Sequence, residues 1–201
     1  HRVQVMSRDG KMISKFGSRG SGYGQFFCPR GVAIDQEGHI IVADTGNDRV
    51  QVMSHDGKMI SKLGSEGSGD GQFKYPNGVA IDHEGHIVVA DTNNHRVQVM
   101  SRDGKMISKF GSRGSGYGQF FCPRGVAIDQ EGHIIVADTG NDRVQVISHD
   151  GKVVSKLGSG GSEDGQFKYP NGVAIDHEGH IIVAEQSNNR VQVIRMPRLF
   201  A

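Results

Sequence analysis

The residues best suited to chemistry recur in turns. Asp44-Thr45-Gly46-Asn47-Asp48-Arg49 gathers carboxylate and amide oxygens that could ligate a cation. Calcium, however, takes about 6–8 oxygens, and such Asx side chains ordinarily bond turn amides. Arg49 stands ready to neutralise Asp44, so a structural turn is the expectation. His83-Glu84-Gly85-His86 places two imidazoles around a tight turn, and His177 and His180 repeat it. Zinc wants about three or four convergent ligands, and no Cys or third His is near in sequence. Gln36 fills the first of these positions in another copy, so the turn does not require that His. Gly20-Ser21-Gly22-Tyr23-Gly24 has the glycine of a phosphate loop, but no helix pattern and no Lys-Ser/Thr follows, so it reads as a loop. Cys28 and Cys122 occupy equivalent places in distant copies, and a disulfide needs Cα atoms within about 7 Å. They read as reduced thiols, which suits a cytoplasmic protein. No Ser/His/Asp or Cys/His constellation stands out. The chain reads as no enzyme, with no metal and no cofactor.

These residues recur because the chain repeats. Successive 47-residue units begin at His1, Asp48, His95, Asp142 and Asn189. The first and third units are identical, while the first and second differ at eleven positions. The longer repeat is therefore a 94-residue pair, ABAB, from recent duplication or from design. In 201 residues there are 30 Gly, no Trp and a net charge of +1, so wholesale electrostatic capture of nucleic acid is not implied. No run of about 18 apolar residues exists, so no membrane-spanning helix is expected. The start, HRVQVMSRDG, shows no apolar signal segment and no initiating Met, and reads as an excised piece.

Each unit reads as four short strands. Arg2-Val3-Gln4-Val5-Met6 alternates with the period of a half-buried strand, and Asp9-Gly10 marks a hairpin leading to Met12–Phe16. Val32–Asp35 and His39–Asp44 follow, joined by a Gly38 turn. Four antiparallel strands in every 40–50 residues is the pattern of a β-propeller. One such meander cannot cover its own faces, so the blades must stack around an axis. Val32, Ile34, Ile41, Val50 and Val52, with their copies, are the expected core. A β-solenoid is the alternative, with shorter repeats and fewer glycines in its turns.

Phe26-Phe27-Cys28-Pro29-Arg30-Gly31-Val32-Ala33-Ile34-Asp35, then Gly38–Thr45 and Asn47-Asp48-Arg49-Val50-Gln51-Val52, resembles the NHL repeat. Tyr75–Asp82 through Asn94-His95-Arg96-Val97 is similar again. The likeness is nearest to NHL propellers of tripartite-motif ubiquitin ligases. It implies an all-β propeller of four-stranded blades that serves as a binding head for RNA or protein. No RING or B-box pattern is present, so ligase activity would lie outside this chain. Such propellers typically have six blades, whereas this chain supplies approximately 32–64, 79–111, 126–158 and 173–194. Within one repeat domain spanning 1–201, the last blade would be completed by strands 2–17 of the same or a second chain. The ring would thus close by pairing of N- and C-terminal strands or by oligomerisation, with a homodimer through blade faces as one expected partner. Another propeller enzyme, the peptide-amidating lyase, uses metal, which keeps a lyase as a third reading.

Five of the eleven differences between units A and B fall in or beside one loop. The resemblance puts that loop on the top face, beside the Asp-Thr turn. The expected ligand-binding residues are Phe27, Arg30, Lys74, Tyr75, Asn77, Phe121, Arg124, Lys168, Tyr169 and Asn171, with Cys28 and Cys122 among them. Arg and Lys would contact phosphates of single-stranded RNA while Tyr and Phe stack on its bases. Against this, units A carry +2 and units B −3, with +3 in the tail at Arg190, Arg195 and Arg198. That alternation suits a mixed-charge protein partner or contact between unlike blades. A designed propeller without a ligand is the remaining alternative.

Overall fold

The computed structural model describes residues 1–195. Arg198, named above with the tail charges, lies outside them. The chain opens with an antiparallel hairpin, β1 (Val3–Met6) and β2 (Met12–Phe16). A short parallel pair follows, β3 (Ser18–Arg19) and β4 (Gln25–Phe26). The first full blade is β5 (Val32–Ile34), β6 (Ile40–Asp44), β7 (Arg49–Met53) and β8 (Met59–Leu63). The second is β9 (Pro76–Ile81), β10 (Ile87–Asp91), β11 (Arg96–Met100) and β12 (Met106–Phe110). The third is β13 (Val126–Ile128), β14 (Ile134–Asp138), β15 (Arg143–Ile147) and β16 (Val153–Leu157). The last sheet has three strands, β17 (Pro170–Ile175), β18 (Ile181–Glu185) and β19 (Arg190–Ile194). All pairings within the blades are antiparallel, and no helix among the described residues is long and apolar enough to cross a membrane.

Alternation along each strand gives every blade two apolar faces, and the facing surfaces of successive blades meet. Ile41, Val50 and Val52 of the first blade pack on Val79, Ile87 and Val89 of the second. Val88, Val97 and Val99 of the second meet Val126, Ile134 and Val136 of the third. Ile135, Val144 and Val146 then meet Ile181 and Val183. One Phe per junction, Phe26, Phe73, Phe120 or Phe167, is completely buried.

Glycine permits the innermost contact. Gly31 donates its N–H to the Asn77 carbonyl at 2.9 Å, and Gly78 does the same to Arg124 at 2.8 Å. A Cβ on Gly78 would lie 2.4 Å from the Arg124 carbonyl oxygen, so no larger residue fits between the blades.

Val32 and Ile34 depart from the expected core. They are 55% and 65% exposed, whereas their copies Val79 and Val126 are buried. The reason is positional: their face would be covered by the inner half of a preceding blade. The hairpin β1–β2 packs on this same first blade, against Ile40, Val42 and Met53. It forms its own sheet, separate from β17–β18–β19, so the two terminal segments of one chain are not paired. No packing comparable to that between β5 and β9 joins β17 back to β5.

The rim opposite the top face is fastened by a repeated turn. Asp35 accepts the amides of Glu37 at 3.0 Å and His39 at 2.8 Å, and its other oxygen lies 2.9 Å from His39 Nδ1. Desolvation pushes the Asp35 carboxyl up, but the bonds from the His39 ring and the two amides outweigh it and hold it below the usual carboxylate range. Asp176 is lowered in the same way, with desolvation outweighed by bonds from His180 and Glu178. A carboxyl depressed by folding stabilises above its unfolded pKa, and that contribution is lost as pH falls through the folded value. Thermal melts should therefore hold their Tm from pH 7 to 5 and lose it below about pH 4. Asp35→Asn should make that loss shallower.

Candidate partner-binding face

The top face is built on a buried carboxylate in each repeat. Asp44 is fully buried at the end of β6, directly across from Arg49 on β7. Its Oδ2 accepts from Arg49 Nε at 2.7 Å, Asn47 Nδ2 at 2.8 Å and Gln51 Nε2 at 2.9 Å. Its Oδ1 accepts the Phe27 amide at 2.7 Å. The same guanidinium donates to the carbonyls of Ser21, Gly22 and Gln25. Asp91 with Arg96 and Asp138 with Arg143 repeat the arrangement, and Glu185 with Arg190 does so with a longer acid. The oxygens considered for a cation are thus spent on protein donors. Burial pushes the Asp91 carboxyl up against the pull of its bonds to the Lys74 amide, Asn94 and Arg96.

This carboxylate holds the loop that enters the innermost strand. The Gly46 amide donates back to the Phe27 carbonyl at 2.7 Å, so the loop sits beside the short 3-10 turn Thr45–Asn47. Cys28 and Tyr75 then take positive φ, 48° and 58°. Their amides are capped from the preceding unit: Tyr75 donates to Asp48 at 2.6 Å and Cys28 to His1 Nδ1 at 2.9 Å, as Cys122 does to His95 Nδ1 at 3.1 Å. The loop geometry is therefore fixed by two blades together.

The twelve loop residues expected to bind fall into four groups. Arg30, Asn77, Arg124 and Asn171 come together around one central concavity, lined by the innermost strands of all four blades. Lys74 and Lys168 are exposed nearby, their amides held by Asp91 and Glu185. The aromatic rings are already engaged. Arg30 lies over Tyr75 at 5.3 Å and bonds its hydroxyl at 3.1 Å, and Arg124 lies over Tyr169 at 4.7 Å and bonds its hydroxyl at 2.7 Å. Phe27 stacks on His1 and Phe121 on His95, each with centroids 5.4 Å apart, and Arg19 and Arg113 lie over the same two rings. Cys28 and Cys122 are free thiols.

Two donors in the concavity have no partner among the described residues. Asn77 is 7% exposed, and its buried Nδ2 bonds to nothing. Arg124 Nε is likewise buried and unpaired. Leaving a buried donor unmade costs about 1–3 kcal/mol, so these groups are poised for an acceptor. The sequence named Asn77 and Arg124 as binding residues, but not their burial or unpaired donors, since burial of Asn77 is set by the neighbouring blade.

On the opposite rim, Asp35, Glu37 and His39 bring ligand atoms within 4.8 Å of one another, as do Asp129, Glu131 and His133. The sequence reading singled out His83 and His86 instead. Those two diverge: His83 Nε2 lies 3.1 Å from the Asp129 carbonyl of the next blade, and His86 Nδ1 faces Asp82. The Asp35 oxygens close the turn described above.

Comparison with known proteins agrees with this geometry. A family model described as NHL repeat matches residues 26–53, 73–100, 120–147 and 167–194. Over 40 residues the chain is 50% identical to the E3 ubiquitin-protein ligase TRIM71 of Rattus norvegicus, a match covering 20% of this chain and 5% of that protein. Among solved structures, virginiamycin B lyase from Staphylococcus aureus superposes with TM-score 0.65 at 13% identity, over 97% of this chain and 63% of that one. A streptogramin B lyase gives TM-score 0.68 at 13% identity, over 98% and 62%. A protein of unknown function from Bacteroides caccae gives 0.63 at 13% identity, over 90% and 63%. The chain spans less than two thirds of the length of each of these proteins, and at such identity the structures share the fold.

Proposed function

Because this chain belongs to the NHL-repeat family, we propose that it is a binding module whose central concavity grips an anionic segment of a partner, an acidic stretch of a protein. The observation that carries this is the pair of buried, unpartnered donors, Asn77 Nδ2 and Arg124 Nε, in a concavity framed by Arg30 and Arg124. Those four frame residues, Arg-Asn-Arg-Asn in order, bring no carboxylate of their own. A carboxylate that gained access to these donors, which are closed off from solvent in this structure, would satisfy them through charge-assisted bonds. The alternation of charge between units also favours a mixed-charge protein over a uniformly anionic polymer. The lyase likeness is one of fold, and this reading assigns the chain no reaction.

Single-stranded RNA is the second reading, favoured by the exposed Lys74 and Lys168 beside the same concavity. Its phosphates could use the same donors. Stacking of bases is less well served, because each of the four expected rings already carries an Arg over one face.

Fluorescence anisotropy with a glutamate-rich peptide and with single-stranded RNA of mixed sequence separates the readings. The peptide should bind, and Arg30→Ala with Arg124→Ala should weaken it at least tenfold, since a bond to a charged group contributes about 1.5–3 kcal/mol. The salt dependence should flatten in the same variant. RNA binding with no peptide binding would favour the second reading. Peptide affinity unchanged by both substitutions would remove the concavity from the account.

A further inference from the structure

The two ends of the blade array are each other's complement. On the first blade, the face of the inner strand is uncovered at Val32 and Ile34. The rest of that face is covered by β1–β2, and in the manner of the outer half of a blade. His1 Nδ1 accepts the Cys28 amide at 2.9 Å and stacks on Phe27, as His95 of the second blade does with Cys122 and Phe121. An inner half-blade of two strands would cover Val32 and Ile34 and extend β1–β2 to a full blade.

The other end holds one. On the last sheet Val191 and Val193 are 63% and 61% exposed, whereas their copies Val50, Val52, Val97 and Val99 are buried at junctions. Gly172 stands open there, with only the Ala184 Cβ, at 3.7 Å, near a Cβ built on it. Its counterpart Gly78 presses on Arg124 of the next blade. Arg30 is the residue equivalent to Arg124 on the first blade.

Residues 1–16 are identical to 95–110, and residues 170–188 differ from 76–94 only at Ile182, Glu185, Gln186 and Ser187. Placed side by side, they reproduce the second blade. Strand β19 carries Arg190-Val191-Gln192-Val193, the same run as Arg2-Val3-Gln4-Val5 of β1. The two strands are therefore rivals for one edge of β18.

We propose that two copies of this chain join head to tail through a composite blade, in which β17–β18 of one copy pairs with β1–β2 of the other and β19 gives up its place. The buried junction would copy the one between the second and third blades, and two such junctions would close the pair.

Light scattering on the full chain over a range of concentrations tests the association. The mass should rise from about 22 kDa towards about 43 kDa, twice the 21.7 kDa of one chain. Gly172→Ala and Val32→Glu should each hold it at one chain, while their melting at high dilution matches the parent. A mass of one chain at every concentration would overturn the proposal, as would dimers that survive both substitutions. The strand exchange has its own readout. Val183 pairs with Gln192 on β19, which Gln4 replaces in the composite blade. With Cys28 and Cys122 changed to Ser, Gln4→Cys and Val183→Cys should oxidise to a covalent dimer on a non-reducing gel. A disulfide within one chain, or none, would overturn the exchange.

Discussion

Arg96→Ala should destabilise the protein by about 3–5 kcal/mol, the cost of stranding one member of a buried ion pair. Arg96 is 8% exposed, and Asp91 beneath it is fully buried. The guanidinium bonds Asp91 at 2.7 Å and also holds the carbonyls of Ser68, Gly69 and Gln72. Removing it leaves a carboxylate whose pKa burial already pushes up, and frees a loop that shields the junction. Denaturant unfolding of Arg96→Ala and of Arg96→Ala with Asp91→Asn measures this. The double variant should recover part of the loss, because the buried acid is then neutral. A loss below about 1 kcal/mol, the range of an exposed pair, would mean the network is not a support.

Gly78→Ala should cost at least about 1–3 kcal/mol, the usual penalty of overpacking. The intruding Cβ meets backbone, the Arg124 carbonyl at 2.4 Å and the Val126 amide at 2.9 Å, and neither can rotate away. Gly172→Ala places the same group at the same position of the last sheet, where the nearest neighbour is the Ala184 Cβ at 3.7 Å. At a dilution where the chain is a monomer, it should be close to neutral. Gly78 has no positive φ, so the contrast isolates blade contact from backbone strain. Equal losses at the two sites would show that blade contact is not what Gly78 serves.

Much of this architecture is legible in the residues. Period-two alternation in Arg49-Val50-Gln51-Val52, with glycine turns between strands, gives the blade, and the 47-residue copying gives the array. The unit differences singled out the Phe27–Arg30 loop, and the family resemblance placed it beside the Thr45 turn, where the Gly46 amide meets the Phe27 carbonyl. Burial was less so. Val32 and Val79 occupy the same place in their units yet differ from 55% to 6% exposed, because exposure depends on what a neighbouring blade covers. The aromatic residues were legible as a cluster but not as occupied rings, since Arg30 reaches Tyr75 from 45 residues away. That the Asn77 and Arg124 donors are left unpaired likewise depends on packing between blades, which residue types do not show. Sequence showed that Arg49 could neutralise Asp44, but not that it also clasps three carbonyls of the preceding loop.

The most direct test of the binding account is an NMR titration that follows the Asn77 side-chain amide and the Arg124 Nε–H as a glutamate-rich peptide is added. Both signals should move together and saturate at one affinity, because the peptide carboxylates meet these two unpartnered donors. Shifts confined to other surfaces, with these two signals unmoved at saturation, would contradict it.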